Sequence, residues 1–289
     1  MHSDRVGSVD FPTLGDLVDA WIEQHCRIPD GYKRKRPFVE YDWQFWCTAN
    51  HYRVREDAVC DPDDPPMGGR HPSPLVQVLA TSQDQVDNIW RPLTAMIRFT
   101  GAPLGRLLLP REEFIRVVGE NEDDPDLDRI DAVTAAASSR LGNPISGFIQ
   151  DETGIYTTRN GMVETAETQR RGAAGMNGRG FTTTNPWDPS EHSTAQQAWE
   201  ADMPDVFTFY SPPPAELSFM DKRQRRRIIE HNYAGVSHIN VDAIMAECDE
   251  LMLTNPRAAE RFFGNRIVQT GSSWIPADAW EKAWAGAVA

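Results

Sequence analysis

The chain has 289 residues, 40% of them hydrophobic and 25% charged, enough to bury a full core in one large α/β domain or in two smaller ones. A formal net charge of −14 repels a polyanion, which excludes tight nucleic-acid binding across the whole surface and leaves only local basic clusters for it. With no apolar stretch of membrane-spanning length, no secretory segment at residues 1–11 and four cysteines without a C-x-x-C pair, the expected protein is cytoplasmic, makes no membrane contact, and has reduced thiols rather than a zinc cluster or disulfide framework.

Leu17, Val18, Trp21 and Ile22 follow helical spacing, which predicts an amphipathic helix over residues 16–26. A Pro/Gly turn carries the basic run KRKR at 33–36. The next segment, RPFVEYDWQFWCTANHY, is dense in aromatics and reads either as a packed helix or as a wall on which bases stack. Residues 60–74 (CDPDDPPMGGRHPSP) form a loop by composition.

The run LVQVLA at 75–80 has strand length, and SQDQ at 82–85 opens a helix with capping-box chemistry. Val86, Ile89, Trp90, Leu93 and Ile97 line that helix. Pro92 is expected to kink it or end its regular bonding, because proline lacks an amide donor. Strands are expected at 106–109, 114–118 and 130–134, with an acidic surface turn at 121–128.

Residues 144–154 read PISGFIQDETG, an apolar run over 145–149 that finishes just before adjacent acids, Asp151 and Glu152. A strand covered on both faces is apolar almost throughout, and its carboxyl end is where open α/β sheets place ligands. Two acids there suit metal-assisted phosphate chemistry, one toward Mg²⁺ and one toward the attacking water. The competing reading is an acidic turn, since Asp-Glu-Thr-Gly is also good turn chemistry.

A helix is expected near 163–171, followed by the glycine-rich GAAGMNGRG at 172–180. That run is a loop rather than a phosphate loop, because no Gly-Lys-Ser/Thr occurs in the chain and its lysines are Lys33, Lys35, Lys222 and Lys282. Further strands are expected at 181–184 and 206–210, then helices at 221–233, 241–253 and 256–265, the first carrying the second basic cluster, KRQRRR at 222–227. Each basic cluster reads as a solvated face or a phosphate contact. Strands alternating with helices imply a mostly parallel sheet.

Taken together, PFVEYDWQFWCTANHYR at 37–53, PSPLVQVLATSQDQVDNIWRPL at 72–93, DAVTAAASSRLGNPISGFIQDETGIYT at 131–157, TTTNPWDPSEHSTAQ at 182–196 and NPRAAERFFGNRIV at 255–268 resemble the large terminase subunit of tailed bacteriophages, the ATPase motor that packages DNA into procapsids. The resemblance implies an α/β P-loop ATPase fold of the additional-strand type, in three layers. It places an N-terminal helical and adenine-side segment at 1–60, the ATPase-like core at 61–214 and a C-terminal helical subdomain at 215–289.

On that resemblance Asp151 is the Mg²⁺-side acid and Glu152 the catalytic carboxylate of the Walker B strand. Thr183, Thr184 and Asn185 match the motif that couples nucleotide state to movement, with a threonine-rich strand end as the alternative. Tyr41 and Gln44 match the adenine-side segment, and Arg140 is a phosphate-reaching cation or a structural residue. ATP and Mg²⁺ are the implied cofactors. Double-stranded DNA, the portal and the small terminase subunit are the implied partners, within a homo-oligomeric ring.

Two departures set this chain apart. The family's Walker A unit is missing between HYRVREDA and CDPDDPP, and the chain ends at SSWIPADAWEKAWAGAVA without the nuclease domain. The expectation is therefore a truncated packaging ATPase or, alternatively, an inactive prophage remnant or interaction module that keeps terminase-like surfaces.

Overall fold

In the computed structural model, which describes residues 9–58, 73–99, 103–111, 114–118, 121, 123–124, 126–134 and 142–269, the run LVQVLA forms β1 (Leu75–Ala80) as its composition predicts. Cys60, Arg140, Lys282 and all but the last two residues of the expected 60–74 loop lie outside the described residues. β1 is central because it pairs in parallel with β4 (Arg129–Thr134) on one side and β5 (Gly147–Gln150) on the other. β6 (Arg179–Thr182) extends the parallel part beyond β5. Beyond β4, β3 (Phe114–Val117) and β2 (Leu108–Pro110) add an antiparallel flank. The six-stranded order is β2-β3-β4-β1-β5-β6, so the mostly parallel sheet read from the sequence is present.

Two helices cover opposite faces of this sheet. α3 (Gln83–Arg98) starts at Ser82, whose hydroxyl accepts the Gln85 amide at 3.3 Å, and the Gln85 carboxamide oxygen reaches back to the Thr81 amide at 3.2 Å. It runs through Pro92, which removes one amide donor without ending the element. Its Trp90, Leu93, Met96 and Ile97 pack with Leu104, Ile115 and Ile130. On the other face, Met162 and Ala166 of α4 (Met162–Ala174) pack with Leu79, Val133 and Tyr156.

Three glutamines are buried beneath α4. Gln150 Nε2 donates to Ala166 O at 3.1 Å and to Gln169 Oε1 at 3.0 Å, and Gln169 Nε2 donates to the Gln77 carbonyl at 3.4 Å. This chain ties α4 to β5 and β1; the bonds from Gln150 Nε2 and Gln169 Nε2 replace water, while Gln150 Oε1 is buried without a donor.

Several sequence expectations shift. The strand expected at 145–149 forms at Gly147–Gln150, and that expected at 181–184 forms at Arg179–Thr182, so the glycine-rich run is split between the end of α4, a turn and β6. The acidic turn is not wholly on the surface, for Asp128 is buried and accepts from Ser73 Oγ at 3.1 Å. Residues 206–210 do not join the sheet. Their alternation reports extended backbone, with Phe207 and Phe209 turned to the same side.

The chain divides into two compact units. The first holds the described residues up to Thr183 and residues 203–209, and includes α1 (Gly15–His25) and α2 (Asp42–His51). These two helices touch at Gly15, where a Cβ would come within 2.6 Å of the Ala49 Cα, so only glycine fits. The second unit holds 184–202 and the described residues from 210 onward, with α5 (Thr194–Ala201), α6 (Lys222–Asn232), α7 (Val241–Thr254) and α8 (Pro256–Phe262). Sequence reading missed α5, although Ser193 caps it by accepting the Gln196 amide at 3.3 Å, a Ser-x-x-Gln signal visible in the sequence. The core of the second unit is Leu217, Phe219, Ile228, Ile229, Met245, Cys248 and Ala259. Tyr210 Oη donates to Asn265 O at 2.9 Å within the longer stretch of that unit, and the Arg261 guanidinium donates to the Pro186 carbonyl, joining its two stretches. No helix among the described residues is long and apolar enough to cross a membrane.

Candidate functional site

Parallel register brings the carboxyl ends of β1, β5 and β6 to one edge of the sheet, and the acids expected from the sequence stand there. The Asp151 amide bonds to Leu79 O at 3.0 Å, so the first acid continues the ladder to β1. Its Oδ1 accepts from the Thr183 hydroxyl at 2.5 Å and from the Glu152 amide at 3.1 Å. Asp151 and Glu152 are both half-buried, not turned into bulk water.

Glu152 has a left-handed backbone, φ 59° and ψ 41°. For a residue with a Cβ this costs about 1–2 kcal/mol, and such strain persists where the surroundings impose it. The surroundings are visible. The Thr153 amide donates to Thr183 O at 3.1 Å and the Thr183 amide to Gln150 O at 2.9 Å, so the turn after β5 is stitched to the end of β6. Below it the fully buried Tyr156 donates its hydroxyl to Leu79 O at 2.8 Å. Burial, reinforced by the Asp151 carboxylate, pushes that phenol far above its ordinary range, so it serves as a fixed donor.

Asp151, Glu152 and Thr183 therefore converge. Thr184 and Asn185 follow Thr183 in the chain but belong to the second unit, where the Thr184 hydroxyl donates to Asn185 O at 2.7 Å. Tyr41 and Gln44 stand at the start of α2, and Gln44 Oε1 accepts the Tyr41 amide at 2.9 Å, a capping role sequence reading did not foresee. The far end of α2, about 15 Å away at 1.5 Å per residue, meets β6: Arg179 Nη1 donates to His51 O at 2.6 Å, and the His51 and Phe181 rings are 5.6 Å apart. Arg140 lies outside the described residues.

The hard oxygens of Asp151 and Thr183 fit a magnesium ion. The residues present do not supply a triphosphate cradle of the Gly-Lys-Ser/Thr kind, since that sequence is absent from the chain. Among the described residues, no group of three or more His, Cys, Asp or Glu is placed to hold a metal by itself. Among the described residues the thiols are poor nucleophiles, because burial raises Cys26 and pushes Cys47 and Cys248 up to about 11. The basic clusters are partly spent within the fold. Lys222 and Arg225 both reach Asp249 at 2.7 Å, Arg226 pairs with Asp242 at 2.7 Å and Glu230 at 2.9 Å, and Arg34 and Lys35 lie over the Phe99 ring.

Neither a protein-family profile nor a curated protein sequence matches the chain. In three dimensions it is similar to the large terminase of bacteriophage HK97, with 16% identity and a TM-score of 0.63, over 93% of this chain and 58% of that one. The ATPase domain of the Thermus phage P74-26 large terminase matches over 68% of this chain and 78% of that domain, with 14% identity and a TM-score of 0.41. A mutant form of that domain gives a TM-score of 0.40. This chain thus spans little more than half the length of the HK97 protein.

Proposed function

The fold is that of a phage large terminase, and from this premise we propose that the chain is the ATPase part of a DNA-packaging motor whose nucleotide site is the shared tip of β5 and β6. One observation carries the reading: Glu152 is held in a left-handed turn beside Asp151, whose carboxylate is fixed by Thr183. In this reading Asp151 and the Thr183 hydroxyl hold Mg²⁺, which when bound supplies positive charge against a triphosphate. Glu152 orients and deprotonates the attacking water. Thr183 directly follows β6 and precedes Thr184 and Asn185 in the chain, so the hydroxyl that touches the acid belongs to the same short motif, which suits a coupling role for 183–185. Tyr41 and Gln44 lie toward the base, and double-stranded DNA, portal and small terminase subunit are the partners of an oligomeric ring.

Phosphate release from Mg-ATP, with and without double-stranded DNA, tests this. The expected result is turnover that Glu152→Gln lowers by about 100-fold, the lower range for a lost general base. Turnover equal in wild type and Glu152→Gln contradicts the assignment. A second reading, a non-catalytic module that keeps the terminase surface, is favoured by the absence of Gly-Lys-Ser/Thr from the chain, and predicts no turnover under any of these conditions.

A further inference from the structure

We infer that the outer face of α2, together with residues 203–209, is a docking surface for a partner polypeptide segment that alternates basic and apolar side chains. The inference is independent of the nucleotide reading, because none of its rings serves the β5–β6 tip. Trp43 and Trp46 stand one turn apart on α2 and are both exposed, whereas Ala49, the next residue at that spacing, is buried where α2 meets α1. Against them lies the segment 203–209, a turn closed by the Val206 amide on Met203 O at 3.0 Å and then the stretch that carries Phe207 and Phe209. Trp43 and Phe209 are near-parallel at 6.3 Å, Trp46 and Phe207 meet edge-on at 6.3 Å, and Phe11 meets Trp46 at 5.9 Å. Intramolecular packing leaves this cluster unfinished, for Trp43, Trp46, Val206, Phe207 and Phe209 remain 39–47% exposed. Contiguous exposed aromatic surface of this kind marks interaction sites, and Trp and Tyr rings anchor them.

The charges around the rings select the occupant. Asp10 and Asp42 directly precede Phe11 and Trp43 in the chain and Asp205 lies two residues before Phe207; all three are exposed, and none takes part in an ion pair among the described residues. The described cation at the rings is Arg53, whose guanidinium lies 4.4 Å from the Phe11 centroid, so the surface already accepts a guanidinium on an aromatic face. A partner that brings Arg or Lys satisfies the three carboxylates and stacks on the remaining rings, while its apolar side chains cover Val206 and Phe209. A nucleic acid offers bases for stacking but carries phosphates toward these carboxylates and a chain of net charge −14.

The test uses the full chain and a fluorescein-labelled peptide alternating Arg and Leu, against the same peptide with Glu for Arg and against oligothymidylate, at about 150 mM salt to screen diffuse attraction. The Arg peptide is expected to bind at least about tenfold tighter than either control, and both Phe207→Ala/Phe209→Ala and Asp42→Lys/Asp205→Lys to weaken it by about tenfold. The charge variant keeps every ring, so the two variants separate lost binding from lost folding, which circular dichroism checks. Equal peptide affinity in wild type and both variants overturns the inference. So does tighter binding of oligothymidylate, or sedimentation showing that the rings mediate self-association while the peptide does not bind.

Discussion

Glu152 carries a side chain where the backbone favours glycine, and its neighbour Asp151 is fixed by a threonine 32 residues farther along the chain. A site selected only for stability would relax this turn. Glu152→Gly is therefore expected to leave the chain as stable as wild type or more stable by up to about 1 kcal/mol in urea unfolding, after allowing for the flexibility glycine adds to the unfolded chain, while abolishing any turnover. A loss of stability would show that the glutamate is structural. His51 gives a second residue-scale outcome. Burial pulls its ring below the ordinary histidine value, the Arg179 guanidinium adds to this, and a hydrogen bond to the Gly180 carbonyl opposes it in part. The folded chain thus binds that proton less readily than the unfolded chain. The stability this contributes is fully present above the unfolded value of about 6.5 and is lost as pH falls from there toward the depressed folded value. His51→Gln is expected to flatten the stability profile as pH falls below about 6.5, and an unchanged slope in urea unfolding contradicts this. The acid pair itself was legible in the sequence because an apolar run ended on it. The left-handed turn and the Thr183 contact were not, since both arise only when β5 and β6 lie side by side.

At the scale of elements, β6 depends on an absent side chain. A Cβ at Gly180 would meet the Phe148 ring of β5 at 2.0 Å, so Gly180→Ala must displace that ring or separate the strands. The expected cost is about 1–3 kcal/mol, as for overpacking, with faster amide exchange at Thr183, whose hydrogen bond to Gln150 O closes the pair. Unchanged exchange there contradicts the packing argument. The buried glutamines make a contrasting case. Gln150→Leu leaves Gln169 Oε1 without its donor and is expected to cost about 1–3 kcal/mol, whereas Gln150→Leu/Gln169→Leu, which removes both sides, should cost less than the sum of the single changes. Additive losses in thermal unfolding would mean the amides act separately. Sequence periodicity located β1, α3, α4 and α6 to α8 well, since each buries a stripe of its own. It misjudged 206–210, where Phe207 and Phe209 meet α2 by their rings without joining a ladder. Nor does hydropathy reveal buried glutamines, because it scores Gln77, Gln150 and Gln169 as surface.

For the whole molecule, the parallel order β4-β1-β5-β6 puts the candidate acids where open sheets bind ligands, and the terminase resemblance drawn from motifs agrees with the fold at 16% identity to the HK97 protein. The unit division was less legible. It falls between Thr183 and Thr184, inside one short motif, and residues 203–209 return to the first unit, so chain order does not mark the boundary. The central claim is that the β5–β6 tip holds a magnesium nucleotide. Calorimetric titration of Mg-ATP into the full chain tests it most directly, with Asp151→Ala and Thr183→Val in parallel. The account predicts binding that needs Mg²⁺ and weakens by about tenfold or more in each variant, the scale of one lost charge-assisted contact. No binding by the wild type, or equal binding by all three proteins, would contradict it.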